Sequence, residues 1–139
     1  VDTLLVDLID QLTDTLKGRS RIQPHLSLTD EPVDSRLLPD VKITFFRIAQ
    51  ESVNNVVKHS RASNVWVDLT CEGNFLTLRV RDDGRGFDPD VDSVGHMGLE
   101  IMQERALAIQ ANLVIQSQNG QGSKVILNYQ LGASEASHE

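Results

Sequence analysis

Two shortages in the sequence limit what this protein can be. Cys71 is the single cysteine among 139 residues, which excludes an internal disulfide and a cysteine-based metal cluster and suits a reducing, cytoplasmic compartment. Basic residues are also few, because 13 Lys and Arg stand against 20 Asp and Glu, for a net charge of −7. This balance argues against a broad surface for nucleic acid or an anionic membrane, so an anionic ligand would need a local basic cluster.

Long apolar runs are absent too. No run approaches the ~18 residues that a membrane helix needs, and the first residues of the sequence are not expected to be a signal peptide. Apolar residues at 40% and charged residues at 24% are typical of a soluble globular protein with a buried core. Because the chain begins at Val1 rather than at a methionine, we expect it to be part of a longer protein.

The hydrophobic pattern predicts the order helix, strand, helix, two strands, helix, two strands. Helices are predicted over residues 3–17, 40–59 and from 98 onward, and strands over 22–28, 65–71, 76–82, 113–117 and 124–131. The later strands form two hairpins, with turns at Gly73 and Gly120. This order predicts an α+β two-layer sandwich over residues 1–131, with a mostly antiparallel sheet, helices on one face and a flexible tail at 132–139.

Apolar stripes on the first two helices are expected to face the core. On the first helix the stripe consists of Leu5, Leu8, Leu12 and Leu16, widened by Leu4 and Ile9. On the second helix it consists of Phe45, Phe46, Ala49, Val53, Val56 and Val57.

The opposite face of the second helix carries a polar stripe. Glu51 and Asn55 are one turn apart, so a carboxylate and an amide oxygen project together. Such oxygens suit a hard cation such as Mg²⁺, and the carboxylate could orient or deprotonate an attacking group. Lys58 and His59, with Arg61 beyond them, supply a local positive cluster for phosphates. The alternative is the ordinary solvated face of an amphipathic helix.

A second polar candidate lies at the end of a strand. Asp82 has the same parity as Leu76, Leu78 and Val80, so it is expected to point toward the core. A carboxylate there is costly unless something donates a hydrogen bond to it. Asp82 could accept one from a ligand amino group, such as the exocyclic amine of adenine. The alternative is a strand that ends where this residue meets solvent.

Three glycine pairs follow in order: Gly84 and Gly86, Gly95 and Gly98, and Gly120 and Gly122. The first pair lets the backbone turn sharply beside a flat ligand. The second pair lies at the end of a polar loop at 88–97, which is a candidate lid. A helix N-terminus follows, and it could present backbone N–H groups to phosphate. Taken alone, the first pair could be an ordinary turn and the second a mobile loop before a helix, and a plain hairpin turn is the better explanation for Gly120.

Taken together and in order, these segments resemble a known family. Residues Phe46–Ser60 resemble its N box, and Asp82–Phe87 its first glycine box. Residues Gly95–Leu99 with Met102–Ala106 resemble the second, and Gly120–Ser123 the last. The family is the ATP-binding catalytic domain of sensor histidine kinases, which has the Bergerat fold shared with gyrase, the Hsp90 chaperones and the MutL proteins. The motifs GHMGL (residues 95–99) and MQERA (residues 102–106) most resemble those of the nitrate-sensor and DesK-like branch.

The resemblance implies a role for each matched residue. Asn55 would bind Mg²⁺, with Glu51 beside it polarising the site or assisting proton transfer, and Lys58 and His59 would contact phosphates. Asp82 would recognise adenine. The pocket would be completed by Gly84 and Gly86 around adenine, by Gly95, Gly98 and Leu99 at the lid end near the phosphates, and by Gly122 and Ser123 on the adenine side.

Two positions differ from the residues that the family usually has there. Asp83 stands where Asn is more common, which would add a negative charge near the nucleotide, and Ser123 stands where Thr is more common. Both changes are conservative, so the resemblance still implies a working site.

The resemblance also implies an activity and partners. The domain would transfer the γ-phosphoryl group of ATP to a histidine on a dimerisation domain, for relay to a response regulator with a helix-turn-helix output domain. None of the four histidines here fits the phosphoacceptor, so we expect that residue to lie upstream of Val1. The isolated domain is expected to be a cytoplasmic monomer that binds no nucleic acid. The alternatives are an anti-sigma-factor serine kinase or a gyrase-type ATPase on the same fold, or a docking module without catalysis.

Overall fold

Three helices cover one face of a five-stranded sheet in the computed structural model, which describes residues 3–86, 98–118 and 120–132. The helices are α1 (Leu5–Arg19), α2 (Pro39–Asn55) and α3 (Leu99–Ala108), with a short 3₁₀ helix at Asp34–Arg36 and a π-helical turn at Val56–Ser60 that extends α2. The strands are β1 (Gln23–Leu28), β2 (Asn64–Glu72), β3 (Phe75–Asp82), β4 (Asn112–Ser117) and β5 (Ser123–Gln130). No helix in these ranges is both long and apolar enough to cross a bilayer.

The sheet has the strand order β1-β2-β3-β5-β4. The β2–β3, β3–β5 and β5–β4 pairs are antiparallel, whereas β1 and β2 are parallel. The parallel pair follows from the helix between them, because α2 carries the chain back across the sheet before β2 begins. The predicted α+β sandwich with a mostly antiparallel sheet is therefore confirmed.

The core lies between the sheet and the helices. Alternate residues of the central strands point inward and are fully buried, as strand periodicity requires; these include Val65, Val67, Leu69, Leu76 and Leu78. Phe45 of α2 is also fully buried and lies edge-on to the ring of Tyr129 in β5. Each such side chain contributes about 1.5–3 kcal/mol of transfer free energy on burial.

The stripe predicted for α1 is partly wrong. Leu5, Ile9 and Leu16 are buried as expected, and Thr13 is also buried, but Leu8 and Leu12 are only half-buried. The helix is rotated relative to the prediction because two surfaces, the sheet and α2, share its apolar side. Leu8 and Leu12 line a groove between α1 and α2, where Leu12 also packs against the core, and Leu4, 48% exposed, lies outside the core.

The stripe predicted for α2 also needs correction at its edges. Phe46 is half-buried, Val57 is 41% exposed, and Ile48 and Ser52 are buried in their place. A π-helical turn advances less per residue than an α-helical one, so the side chains beyond Val56 fall out of phase with the preceding stripe. The Ser52 hydroxyl hydrogen-bonds the Met102 sulfur at 3.6 Å, which satisfies a polar group inside the core.

Candidate functional site

Asp82 ends β3 on the inner face of the sheet, as its parity predicts. Its exposed fraction is 3%. One carboxylate oxygen accepts a hydrogen bond from the Gly84 N–H at 2.8 Å, and the other accepts one from the Ser123 hydroxyl on the paired strand β5. These donors make the buried carboxylate tolerable and fix its orientation. An ionised carboxylate has about four lone-pair positions, so Asp82 retains acceptor capacity for a ligand.

Two glycine loops pack backbone to backbone beside Asp82. The Gly120 N–H donates to the Arg85 carbonyl, and a side chain at Gly86 would strike the backbone of Gln118. Gly122 has a φ of +78°, and a Cβ there would overlap the Asp82 carbonyl oxygen. Only glycine meets both requirements. The first and last predicted glycine boxes therefore meet in space at the end of β3.

The Asp83 carboxylate is hydrogen-bonded to the start of β2. Its carboxylate accepts hydrogen bonds from the Ser63 and Asn64 backbone N–H groups and from the Asn64 side-chain amide, each at 2.9 Å. The Asn64 side-chain hydrogen bond, with help from the two backbone donors, lowers the pKa of the Asp83 carboxyl below its usual range. This carboxylate holds the start of β2, and the expected negative charge near the nucleotide stays a prediction.

Glu51 and Gly98 bring the polar face of α2 to the beginning of α3. Gly98 has a φ of +65°, and a Cβ there would lie 2.5 Å from the Glu51 Oε1 atom. Asn55 follows Glu51 by one turn, and both side chains are half-exposed. The positive end of the α3 dipole therefore lies next to the Glu51 carboxylate. Leu99, the first residue of α3, is 7% exposed and anchors that end in the core.

The predicted basic cluster at the end of α2 is divided. Lys58 lies on the α1 side of α2, where it lines the groove with Gln50 and Asn54, whereas Glu51 contacts the start of α3. His59 is half-buried, and Arg61, with a φ of +55°, ends the helical segment and is exposed. The phosphate contacts expected of Lys58 and His59 stay a prediction.

Arg85 is a contributor that the sequence analysis missed. Its Nε atom donates to the His59 carbonyl at 2.7 Å. This bond joins the end of α2 to the loop that carries Gly84 and Gly86, so it sets the position of the helix relative to Asp82. A guanidinium flanked by two glycines was the available signal, since helix C-terminal carbonyls need such donors.

The two clusters supply different chemistry. Asp82 with Ser123 forms a directional acceptor, and Glu51 with Asn55 forms a pair of oxygen ligands. No group of three or more His, Cys, Asp or Glu side chains that could hold a metal occurs within residues 3–86, 98–118 and 120–132. Glu51 and Asn55 nevertheless fit Mg²⁺, which proteins commonly hold through one or two oxygens together with substrate phosphates. Gly95, the predicted lid at 88–97 and all of the predicted tail at 132–139 except Gly132 lie outside the described residues.

Comparison with known proteins places these clusters in a family. Residues 40–133 match the sequence model of the histidine kinase-, DNA gyrase B-, and HSP90-like ATPases. The chain is 29% identical over 131 residues to the signal transduction histidine-protein kinase/phosphatase DegS of Bacillus subtilis, which covers 92% of this chain and 34% of DegS. It is 32% identical over 112 residues to the sensor protein VraS of Staphylococcus epidermidis, covering 81% of this chain and 32% of VraS. The chain thus spans about a third of the length of these relatives.

Solved structures show the same fold. The histidine kinase domain of the blue-light activated kinase of Erythrobacter litoralis EL346 matches with a TM-score of 0.72 and 22% identity, covering 95% of this chain and 61% of that one. The Acinetobacter baumannii histidine kinase AdeS matches with a TM-score of 0.73 and 16% identity, covering 90% and 64%. The family match includes Glu51, Asn55, Asp82 and the glycine loops. The chain therefore belongs to the histidine kinase-, DNA gyrase B- and HSP90-like ATPase family, as an ATP-binding catalytic domain of the sensor histidine kinase type.

Proposed function

We propose that this domain binds ATP together with Mg²⁺ and transfers the γ-phosphoryl group to a histidine of a separate dimerisation domain. The observation that carries the proposal is the buried Asp82 carboxylate, which Gly84 and Ser123 hold in one orientation at the inner edge of the sheet. The relatives DegS and VraS support the finer activity, because their names describe a histidine-protein kinase/phosphatase and a sensor protein.

Asp82 would select adenine through its exocyclic amine. Adenine presents an N6 donor, whereas guanine presents the O6 acceptor at the corresponding position. An ionised carboxylate can only accept, and the bonds from Gly84 and Ser123 prevent Asp82 from turning away. A bound guanine would therefore place its O6 acceptor against the Asp82 carboxylate, which is also an acceptor. Neither of these buried atoms would then have a hydrogen-bond donor from the other. We expect a strong preference for ATP over GTP.

Glu51 and Asn55 would act at the phosphate end. A bound Mg²⁺ would neutralise phosphate charge and support a largely dissociative transfer. Asn55 would offer its amide oxygen to the cation, and Glu51 would polarise the site or accept the proton of the attacking imidazole. The contact between Glu51 and Gly98 supports this placement, because it brings the carboxylate to a helix N-terminus that favours anionic groups.

The phosphoacceptor would belong to another domain of the parent protein. His25 lies in β1 against Trp66, and His59 lies at the end of α2, while His96 and His138 lie outside the described residues. A response regulator with a helix-turn-helix output domain would receive the phosphoryl group next. We assign the parent protein to the nitrate-sensor and DesK-like branch because the motifs GHMGL and MQERA resemble those of that branch.

Calorimetry with ATP and Mg²⁺ tests the binding step. We expect saturable one-to-one binding by the wild-type chain and none by Asp82→Ala. Arg47→Gln, an exposed change elsewhere on α2, is the matched control and should bind like the wild type. A folded wild-type chain that binds no ATP would refute the proposed activity and favour a docking module.

Transfer of radiolabelled γ-phosphate to a dimerisation-domain fragment of a relative tests the chemistry. Phosphohistidine is acid-labile and phosphoserine is acid-stable, so label that acid removes from the fragment supports the proposed kinase. Acid-stable label would indicate a serine kinase instead. Release of inorganic phosphate without labelled protein would indicate a gyrase-type ATPase.

A further inference from the structure

Arg85 joins three segments that surround the nucleotide site. Its Nε atom donates a hydrogen bond to the His59 carbonyl, with 2.7 Å between the two atoms. Its own carbonyl accepts a hydrogen bond from the Gly120 N–H, in the turn between β4 and β5. Asp82 lies three positions earlier in the chain, at the end of β3. One residue therefore connects the end of β3 to the end of α2 and to the β4–β5 turn.

The loop that carries Arg85 has little room to move. A Cβ atom at Gly86 would overlap the backbone carbonyls of Gln118 and Gly122. Backbone that is packed this closely resists displacement, because even a small shift creates an overlap. The helical side of the hydrogen bond, where the His59 carbonyl lies, is the side that can shift. Arg85 therefore locates the end of α2 against a fixed support.

The end of α2 needs a donor from outside the helix. The last carbonyl groups of a helix have no N–H partner within it. Here the helix continues into the π-helical turn Val56–Ser60, and Arg61 follows with a φ of +55°. Turns of this type are rare and often occur at functional sites. A charged guanidinium donor to the His59 carbonyl stabilises this turn more strongly than a neutral donor would.

The π-helical turn begins directly after Asn55, the proposed magnesium ligand. The direction of a helical side chain is set by the helix backbone, so a shift of this turn would redirect Asn55. Asp82, in contrast, keeps its orientation through Gly84 and Ser123. Loss of the Arg85 hydrogen bond should therefore move the magnesium end of the site without disturbing the adenine end.

We propose that Arg85 is a positioning residue that fixes the magnesium end of the nucleotide site relative to the adenine end. It acts through the His59 carbonyl and needs no contact with the nucleotide. The inference rests on the proposed function, which assigns adenine to Asp82 and Mg²⁺ to Asn55, and it adds the contact that holds these two groups at one separation. The magnesium complex of ATP has to reach both groups, so misplacement of one of them weakens binding and slows transfer.

Three ligands separate the two ends of the site in calorimetry: adenosine, ATP with EDTA, and ATP with Mg²⁺. Adenosine reaches only the adenine end, whereas the magnesium complex spans both ends. For Arg85→Gln, we expect the affinity for the magnesium complex to fall about tenfold, the effect of losing roughly 1.4 kcal/mol. The affinities for adenosine and for ATP with EDTA should change less than about twofold, because Arg85 is exposed and removal of an exposed charge alone has a small effect.

Two further variants separate position from charge. Arg47→Gln removes the same charge from an exposed position of α2 and should bind all three ligands like the wild type. Arg85→Lys keeps the charge but carries it one bond further from the backbone and lacks the planar guanidinium. We expect Arg85→Lys to retain most of the loss for the magnesium complex. Circular dichroism and unchanged adenosine affinity confirm that each variant is folded.

Three results would overturn the proposal. The first is an affinity for the magnesium complex that is equal in Arg85→Gln and the wild type. The second is an equal loss for adenosine and for the magnesium complex, which would indicate general damage to the fold. The third is a loss for ATP with and without Mg²⁺ that Arg85→Lys restores in full, which would indicate a direct contact with phosphate. A folded wild-type chain that binds none of the three ligands refutes the proposed function itself, on which the inference rests.

Discussion

The hydroxyl of Ser123 donates a hydrogen bond to the carboxylate of Asp82, across the paired strands β3 and β5. The two residues are directly opposite each other in the register, and both side chains point to the inner face of the sheet. Ser123 therefore acts through Asp82: it holds the carboxylate in the orientation that adenine would meet. This pairing explains why a hydroxyl residue, Ser or Thr, suits the position.

Ser123→Ala should weaken ATP binding severalfold and lower the free energy of unfolding by about 1–2 kcal/mol. The change leaves one oxygen of a buried carboxylate without its donor, which is more costly than the loss of an exposed hydrogen bond. Calorimetry and urea unfolding measure the two effects. Ser123→Thr is the control, since it keeps the hydroxyl, and an alanine variant with unchanged ATP affinity would contradict the role given to Ser123.

Asp82→Asn should reduce the discrimination between ATP and GTP. The neutral amide has the shape of the carboxylate but can present a donor, so the penalty against the guanine O6 atom falls. We expect ATP affinity to drop by about tenfold or more, as for the loss of a hydrogen bond to a charged group, while GTP affinity changes little. Competition titrations with both nucleotides measure the ratio. Equal losses for ATP and GTP would show that Asp82 does not read the base.

Gly98→Ala should destabilise the domain by about 1–3 kcal/mol, because φ is +65° and the added methyl group would collide with the Glu51 carboxylate. It should also weaken ATP binding by displacing Glu51. Gly18→Ala is a matched control: Gly18 lies in α1 with open space around it, so alanine should stabilise by about 0.5–1 kcal/mol through helix propensity. Thermal unfolding measures the stability of both variants. If the midpoint temperatures of Gly98→Ala and Gly18→Ala shift in the same direction, the contact assigned between position 98 and Glu51 is refuted.

Asp83→Asn should change how stability depends on pH. The folded state lowers the pKa of Asp83, chiefly through the Asn64 side-chain hydrogen bond. The ionised carboxylate therefore contributes stability above its ordinary pKa, and that contribution is lost as the pH falls through the lowered value. Because the group is exposed, we expect the variant to be less stable at pH 7 by less than about 1 kcal/mol.

Urea unfolding at pH 7 and at pH 2.5 measures this prediction. The stability gap between wild type and Asp83→Asn should narrow at the lower pH, because protonation progressively removes the charge of the wild-type carboxylate. A gap that stays constant, or widens on acidification, would show that the hydrogen bonds to Ser63 and Asn64 do not depend on the charge of Asp83.

Much of the secondary structure and side-chain orientation could be predicted from the local periodicity of apolar residues. The period of two in β3 placed Asp82 on the same face as Leu78 and Val80, and the structure confirms that orientation. The helices, the two hairpins and the element order also follow from patterns within short stretches of chain. Residues a few positions apart constrain one another directly, so helices, hairpins and their order can be predicted from short stretches of sequence.

The errors occur where distant segments compete for one surface. Leu8 and Leu12 have helical spacing identical to that of buried residues, yet the joint packing of α1 on the sheet and on α2 left them in a groove. The π-helical turn at Val56–Ser60 exposed Val57, and Lys58 lines the groove beside α1. A helical wheel contains no information about which neighbour a stripe meets or where the helix changes pitch.

The amino-acid sequence alone determined the fold class, the inward-facing Asp82, and the family motifs with their order. Only the tertiary structure decided that Asp83 holds the start of β2, that Arg85 reaches the end of α2, and that Trp66 packs between His25 and Arg81 on the sheet. Each of these contacts joins residues about 15 or more positions apart. Such contacts depend on strand register and helix packing, which arise only when the whole chain buries its apolar surface together.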